Sequence, residues 1–227
     1  MKKIIVVSLL LVSFLSISAS AQNMTLADAK KAVKYTMGFS TSSFFPDSII
    51  TWALNESAKQ IAWNGYAIEK QDTIARSLET IQYSLNTNVV KIAGVHLYEE
   101  GLTGDYKALE LIEMPAMGKK TLSNLTKGYW YWNDKIGFYP PPEGIDTVIV
   151  YYWAQPNTLS DDTSTTWIPA TYHNLMIDYA VGRLWERQGR QDKAQFYFEK
   201  FWQLLGQKAY DRLLKWEQQK IQQEVIK

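Results

Sequence analysis

The sequence predicts an α+β protein: N-terminal helices, a central antiparallel β region, and a C-terminal helical hairpin followed by a terminal helix. Three observations carry this reading. Apolar residues recur at a spacing of about 3.6 near the N-terminus and again after residue 169. Between these regions they alternate with polar residues, as in half-buried strands. Three consecutive prolines, Pro140-Pro141-Pro142, lie between two aromatic-rich segments, where no helix can pass. Helices, then strands, then helices is the order of an α+β fold and not of alternating βα units.

The elements follow in order. Residues 1–23 have the layout of a secretory leader. Lys2 and Lys3 precede an apolar run from Ile4 to Ile17, and Ala19-Ser20-Ala21 supplies the small residues of a cleavage site before Gln22. A buried N-terminal helix or strand, or a natural start at Met24, are the other readings, and this leader stands outside the fold argument. Thr25 caps a short helix to Tyr35, with Leu26, Ala29 and Val33 inward and Asp28 in its first turn. Gly38 and the cluster Ser40–Ser43 end it. A second helix opens at Pro46-Asp47 and keeps Ile49 or Ile50, Ala53, Leu54, Ser57, Ala58, Ile61 and Ala62 on one side toward Tyr66.

Ile68 to Glu79 has mixed character. Ile81, Tyr83 and Leu85 then alternate with polar residues, Val89 to Leu97 reads as a strand carrying Gly94, and Gly101–Gly104 is a turn. Leu109 to Met114 is a further short strand, and Leu122 to Lys127 fits no single pattern. Trp130–Tyr139 and Thr147–Trp153 read as two strands of a hairpin whose turn is Pro140 to Gly144. After the polar loop Gln155–Thr166, Pro169 or Ala170 opens a helix with Leu175, Tyr179, Gly182 and Trp185 or Glu186 on one face. Gly189 breaks it. Gln191–Leu205 is the next helix, with Ala194, Phe198, Phe201, Trp202 and Leu205 aligned. Gly206 then sets apart an amphipathic helix over 206–227, carrying Tyr210, Leu213, Leu214, Ile221 and Val225 on a narrow stripe and Trp216 off it. The resulting division is a leader at 1–23, a domain at 24–205 and a terminal helix at 206–227.

Composition limits the chemistry. With 227 residues, 46% of them hydrophobic, the chain can bury a core in one large domain or two small ones. Its 24 basic and 23 acidic residues give +1; without Lys2 and Lys3 the balance is −1, which gives no global attraction for nucleic acid. The absence of cysteine excludes disulfides and thiolate metal sites. Only His96 and His173 are present, so no two-histidine metal motif exists, and neither a Gly-x-Ser-x-Gly nor a Gly-rich phosphate loop occurs. The acid pairs Glu99-Glu100 and Asp161-Asp162 read as solvated turn residues, and Asp-Asp-Thr-Ser-Thr lacks the spacing of a calcium loop. The expectation is a protein that is not an enzyme, with no catalytic residue, cofactor or metal.

Nine tryptophans and fourteen tyrosines call for an account. Successive strand residues face opposite ways, so Tyr129-Trp130-Tyr131-Trp132 and Tyr151-Tyr152-Trp153 must turn some rings from the core. Two readings stand: a sheet buried on both faces, or a subunit interface in which Trp130, Trp132, Tyr139 and Tyr152 are the candidates.

Seven elements recur in an order that resembles the head–tail adaptor (connector) proteins of tailed bacteriophages. They are Pro46 to Ala62, Tyr83-Ser84-Leu85, Ile136 to Pro142, Val150-Tyr151-Tyr152-Trp153, Leu159-Ser160-Asp161-Asp162, Ile168-Pro169, and Tyr172 to Leu205. Asn86 stands where the family has proline after Tyr-x-Leu. The resemblance implies a virion protein at the head–tail junction. It would form a homo-oligomeric ring, contact the portal protein and tail or further connector proteins, and let genomic DNA pass without sequence specificity. It also makes the portal the expected partner of the terminal helix, through Tyr210, Leu213, Leu214, Trp216, Ile221 and Val225. A functional leader would instead favour a secreted or periplasmic helical-repeat binding module, because Tyr179–Leu205 resembles one tetratricopeptide-like helix pair. No second copy follows at that repeat's period.

Overall fold

The computed structural model describes residues 23–38, 45–77, 80, 82–85, 88–98, 106–112, 128–141 and 146–225, with only the backbone course for Tyr106 and residues 216–225. Residues 1–22 of the leader, Ser40–Ser43, Glu79, Ile81, Asn86, Glu99-Glu100, the Gly101–Gly104 turn, Met114, Leu122–Lys127 and Pro142 to Gly144 lie outside the described residues.

Helix α1 (Leu26–Thr36) starts where expected. The Asp28 amide donates to Thr25 Oγ1 at 3.1 Å, and the Thr25 hydroxyl donates back to Asp28 Oδ2 at 2.6 Å. Leu26, Ala29 and Val33 are buried and the stripe continues to Met37 at the C-cap, whereas Tyr35, off that stripe, points to solvent. Helix α2 (Asp47–Gly65) buries Ile50, Ala53, Leu54, Ser57, Ala58, Ile61, Ala62 and Gly65, a face repeating at helical period. It stops at Tyr66, whose φ of 47° is left-handed.

The mixed segment after α2 is strand β1 (Glu69–Arg76). Its charged residues suit an edge strand, where they discourage pairing with other chains. The other strands are β2 (Gln82–Ser84), β3 (Val89–Tyr98), β4 (Tyr106–Ala108), β5 (Glu110–Leu111), β6 (Gly128–Trp132), β7 (Lys135–Tyr139) and β8 (Asp146–Ala154). They form two four-stranded sheets, ordered β1-β8-β3-β4 and β2-β7-β6-β5. All described pairs are antiparallel except β5–β6.

Two expectations about the β region are corrected. Trp130–Tyr139 is not one strand but the β6–β7 hairpin, which turns at Asn133-Asp134 with φ of 49° and 59°. Asn and Asp tolerate this left-handed geometry, and two such residues make a tight hairpin turn. Moreover, β7 and β8 lie in different sheets, so the proline segment between them is a crossover and not a hairpin turn. At that junction Arg76 of β1 pairs with Asp146 of β8 and lies 5.0 Å from the centre of the Phe138 ring of β7. A nearly buried guanidinium is tolerated because it is paired and stacked.

Helix α3 (His173–Arg187), entered through one 3₁₀ turn at Ala170–Tyr172, packs against α1, α2 and α4. That position explains why its burial wraps most of its circumference. The chain reverses at Gly189, with φ of 75°. Helix α4 (Gln191–Val225) then runs 35 residues without a break, about 52 Å at 1.5 Å per residue. The separate terminal helix expected after Gly206 is therefore the end of α4. Glycine inside a helix costs only about 1 kcal/mol relative to alanine. Here Leu205 and Ala209 on either side of Gly206 are buried and hold the helical course. One core joins the helices to both sheets, with Tyr152, Phe201, Leu26, Leu54 and Ile136 among its largest members.

Candidate assembly surfaces

The loop between the first sheet and α3 is a staple, which its polar composition did not announce. Leu159 is buried, and the Asn55 amide clamps its backbone: Nδ2 donates to the Leu159 carbonyl at 3.0 Å and Oδ1 accepts its N–H at 2.8 Å. Asp161 organises the next turn. Thr163, Ser164 and Ser160 donate to its carboxylate, in that order of weight, and hold it down at about 2. Asp162 pairs with Lys30 at 2.8 Å, which also reaches Asp47 at 3.5 Å. The carbonyls of Ser164 and Asp162 accept the first amides of α1. The acid pair thus serves the fold.

The histidines have structural partners as well. His173 Nε2 lies 3.0 Å from the Ile168 carbonyl, and the His96 ring meets Tyr151 edge-on at 5.4 Å. Among the described residues no group of three His, Cys, Asp or Glu is close enough to hold a metal. Among the described residues no helix is long and apolar enough to cross a membrane.

Of the four strand aromatics considered for an interface, two lie inside the chain. Tyr152 is 2% exposed and belongs to the core. Burial, with the Asp72 carboxylate beside it, pushes its hydroxyl up to about 12. Trp130 is 4% exposed and lies across Gly137, its partner in the hairpin, where a side chain would collide with the indole. Alternation says which face a residue takes; it cannot say whether that face is covered. Here it is covered twice, since Trp153 on the far face of β8 is also buried, against Tyr66 at 4.7 Å. Tyr139 is partly buried, and Trp132, at the hairpin tip, is 66% exposed. Leu111 of β5 is likewise exposed in the same sheet.

The second surface is the end of α4. The boundary of its packing is Arg212, not Leu205. Ala209 is buried, and Arg212 Nη1 donates to the carbonyls of Tyr66 (2.8 Å) and Ala67 (2.7 Å), orphans at the end of α2. Arg212 Nε also faces Glu69 at 3.3 Å. On either side of this anchor Tyr210, Leu213 and Leu214 are exposed. Trp216, Ile221 and Val225 follow on the same helix, their side chains outside the described residues. Sequence reading missed a third patch: Trp52 and Trp63 of α2 are about half exposed, opposite the helix's buried face. Their place away from the repeating core positions was the available signal.

The family model described as SU10 adaptor protein matches residues 24–222. The chain belongs to this family of phage head–tail adaptors. The match runs from the start of α1 through every sheet and helix and past Arg212 into the last part of α4. A search of curated proteins gives no match. Membership in the SU10 adaptor family makes the chain a structural virion component that works with other head or tail proteins.

Proposed function

We propose that this SU10-family adaptor acts without turnover, as a ring of identical copies between the portal and the tail that continues the DNA conduit. The observation that carries this reading is the last part of α4. The family match runs into it as far as residue 222, and its first apolar residues, Tyr210, Leu213 and Leu214, are exposed. Such a helix serves as a docking arm, laying its apolar positions on a partner. Tyr210, Leu213, Leu214, Trp216, Ile221 and Val225 are the residues offered, and the portal is the partner expected from the family. Trp132, with Tyr139 behind it, supplies an aromatic contact toward a neighbouring copy or the next connector layer. A nearly neutral chain suits a conduit, since phosphate binding by many basic side chains would grip the passing DNA.

The test is assembly in vitro. Full-length protein mixed with purified portal rings should co-sediment as a stoichiometric ring seen end-on by electron microscopy. Removal of residues 216–227 should abolish the complex while leaving the domain folded. Undiminished portal binding by that truncated protein would refute the docking arm.

A further inference from the structure

The start of α2 and the turn from α3 into α4 border an open-sided notch of about 420 Å³, lined by Phe45, Ile49, Arg187, Gln188 and Arg190. Its size falls in the range of small ligand pockets, roughly 300–1,000 Å³. Phe45 and Ile49 are half-buried and pack against the core, so the fold fixes them as an apolar floor. Arg187 and Arg190 stand exposed at the rim.

The fold leaves these guanidiniums largely uncommitted. The last carbonyls of α3 accept backbone N–H groups: Leu184 takes that of Gln188, Trp185 those of Gln188 and Arg190, and Glu186 that of Gly189. Arg187 is therefore not needed as a helix cap. Nor does it have a carboxylate partner among the described residues: Glu186 is held by Arg183 at 2.7 Å, and Asp47 by Lys34 at 2.7 Å and Lys30 at 3.5 Å. Arg190 has only the exposed Asp192, at 3.5 Å. From Arg183 to Lys193 the turn carries four basic and two acidic residues, an excess of two positive charges. A guanidinium gives a carboxylate two parallel hydrogen bonds, and arginine beside an aromatic floor is the composition of an interface hot spot.

We propose that this notch receives an acidic segment of a neighbouring virion protein, with a carboxylate between Arg187 and Arg190 and an adjoining apolar side chain on Phe45 and Ile49. This rests on the adaptor reading and adds to it a contact at the opposite end of α4 from the arm. Duplex DNA fits less well. Its close-set phosphates call for a row of basic side chains, whereas Asp47, Glu186 and Asp192 lie in the segments that border the notch.

Two capped tripeptides, Phe-Glu-Leu and Phe-Gln-Leu, test the chemistry on the full-length protein. The acidic peptide should shift the NMR signals of Ile49, Gln188 and Gly189 saturably, and the neutral one should bind several-fold more weakly. Arg187→Glu should remove that difference without changing the melting temperature, since the side chain is exposed. Arg187→Glu combined with Arg190→Glu should weaken co-sedimentation with purified portal rings or tail proteins several-fold. Equal binding of the two peptides, no saturable shift, or the same signals shifted by a duplex DNA fragment overturns the proposal. So does undiminished assembly of the double variant with both portal and tail proteins. Saturable, charge-dependent peptide binding by a protein that assembles with neither would instead strike the adaptor-ring reading and leave the acidic-segment site standing.

Discussion

At the residue scale, several side chains that looked like chemistry turn out to hold backbone. Asn55 is the clearest, satisfying the N–H and C=O of buried Leu159 together. Asn55→Ala leaves two polar groups without partners at about 1–3 kcal/mol each, so urea denaturation should show a loss of about 2–6 kcal/mol. Gly137 is fixed by its neighbour. Gly137→Ala drives a methyl into the Trp130 ring, an overpacking that costs about 1–3 kcal/mol, whereas Trp132→Ala at the exposed tip should change stability by no more than about 0.5 kcal/mol. If Trp132→Ala also leaves assembly intact, its interface role is lost. Asp161 gives a pH prediction with a definite sign. Its folded-state pKa is depressed to about 2, so its stabilisation is complete above the ordinary carboxylate range and fades only as pH falls toward 2. Lys30 is raised, chiefly by its hydrogen bond to Asp162, so its contribution persists up to alkaline pH. Hydrogen exchange at Ser164 and Thr166 should therefore stay protected from pH 5 to 9. Asp161→Asn should lose that protection throughout.

At the element scale, α4 changes character along its length, and truncations should reveal where. Ending the chain after Lys215 removes only the arm, and the melting temperature should stay within a degree or two. Ending it after Gly206 also removes buried Ala209 and Arg212, and uncovers the carbonyls at the end of α2. That deletion should cost several degrees, because about 1 kcal/mol corresponds to a few degrees in a domain of this size. Arg212→Ala alone should reproduce much of the loss by calorimetry. Equal melting temperatures for the two truncations would show that Arg212 is not the anchor. The crossover prolines belong to this scale too. They separate two sheets, so loosening them affects how β7 is placed relative to β8, not the register within either sheet.

At the scale of the whole molecule, the described helices and sheets form one packed body. Helices α1 to α4 and the two sheets share a core, and the loop from Gln155 to Thr166 ties α1, α2 and the first sheet together. Such a body presents fixed surfaces, which is what the proposed ring between portal and tail would use. The proposed arm is the part of α4 that runs on beyond Arg212. Assembly should order it, and hydrogen exchange over residues 216–225 should slow several-fold on ring formation while the rest of the molecule changes little. No slowing on assembly would mean that the arm has no partner.

What the sequence determined by itself was whatever depends on neighbours along the chain. The Thr25 cap, the buried face of α2 and the break at Gly189 rest on local backbone preference and on a period that repeats over several turns. The family order of motifs was legible for the same reason: each is a short local signal, and they accumulate. Asn133-Asp134 was a legible turn as well, hidden by the aromatics on either side. Tertiary structure decided what depends on distant residues. Whether Trp130 and Tyr152 were covered turned on Gly137 and on the core behind β8, and neither is adjacent in sequence. Gly206 remained helical because Leu205 and Ala209 are packed and Arg212 finds carbonyls 145 and 146 positions away. Burial and long-range hydrogen bonds outweigh a local preference of about 1 kcal/mol, and only the folded chain shows where they act.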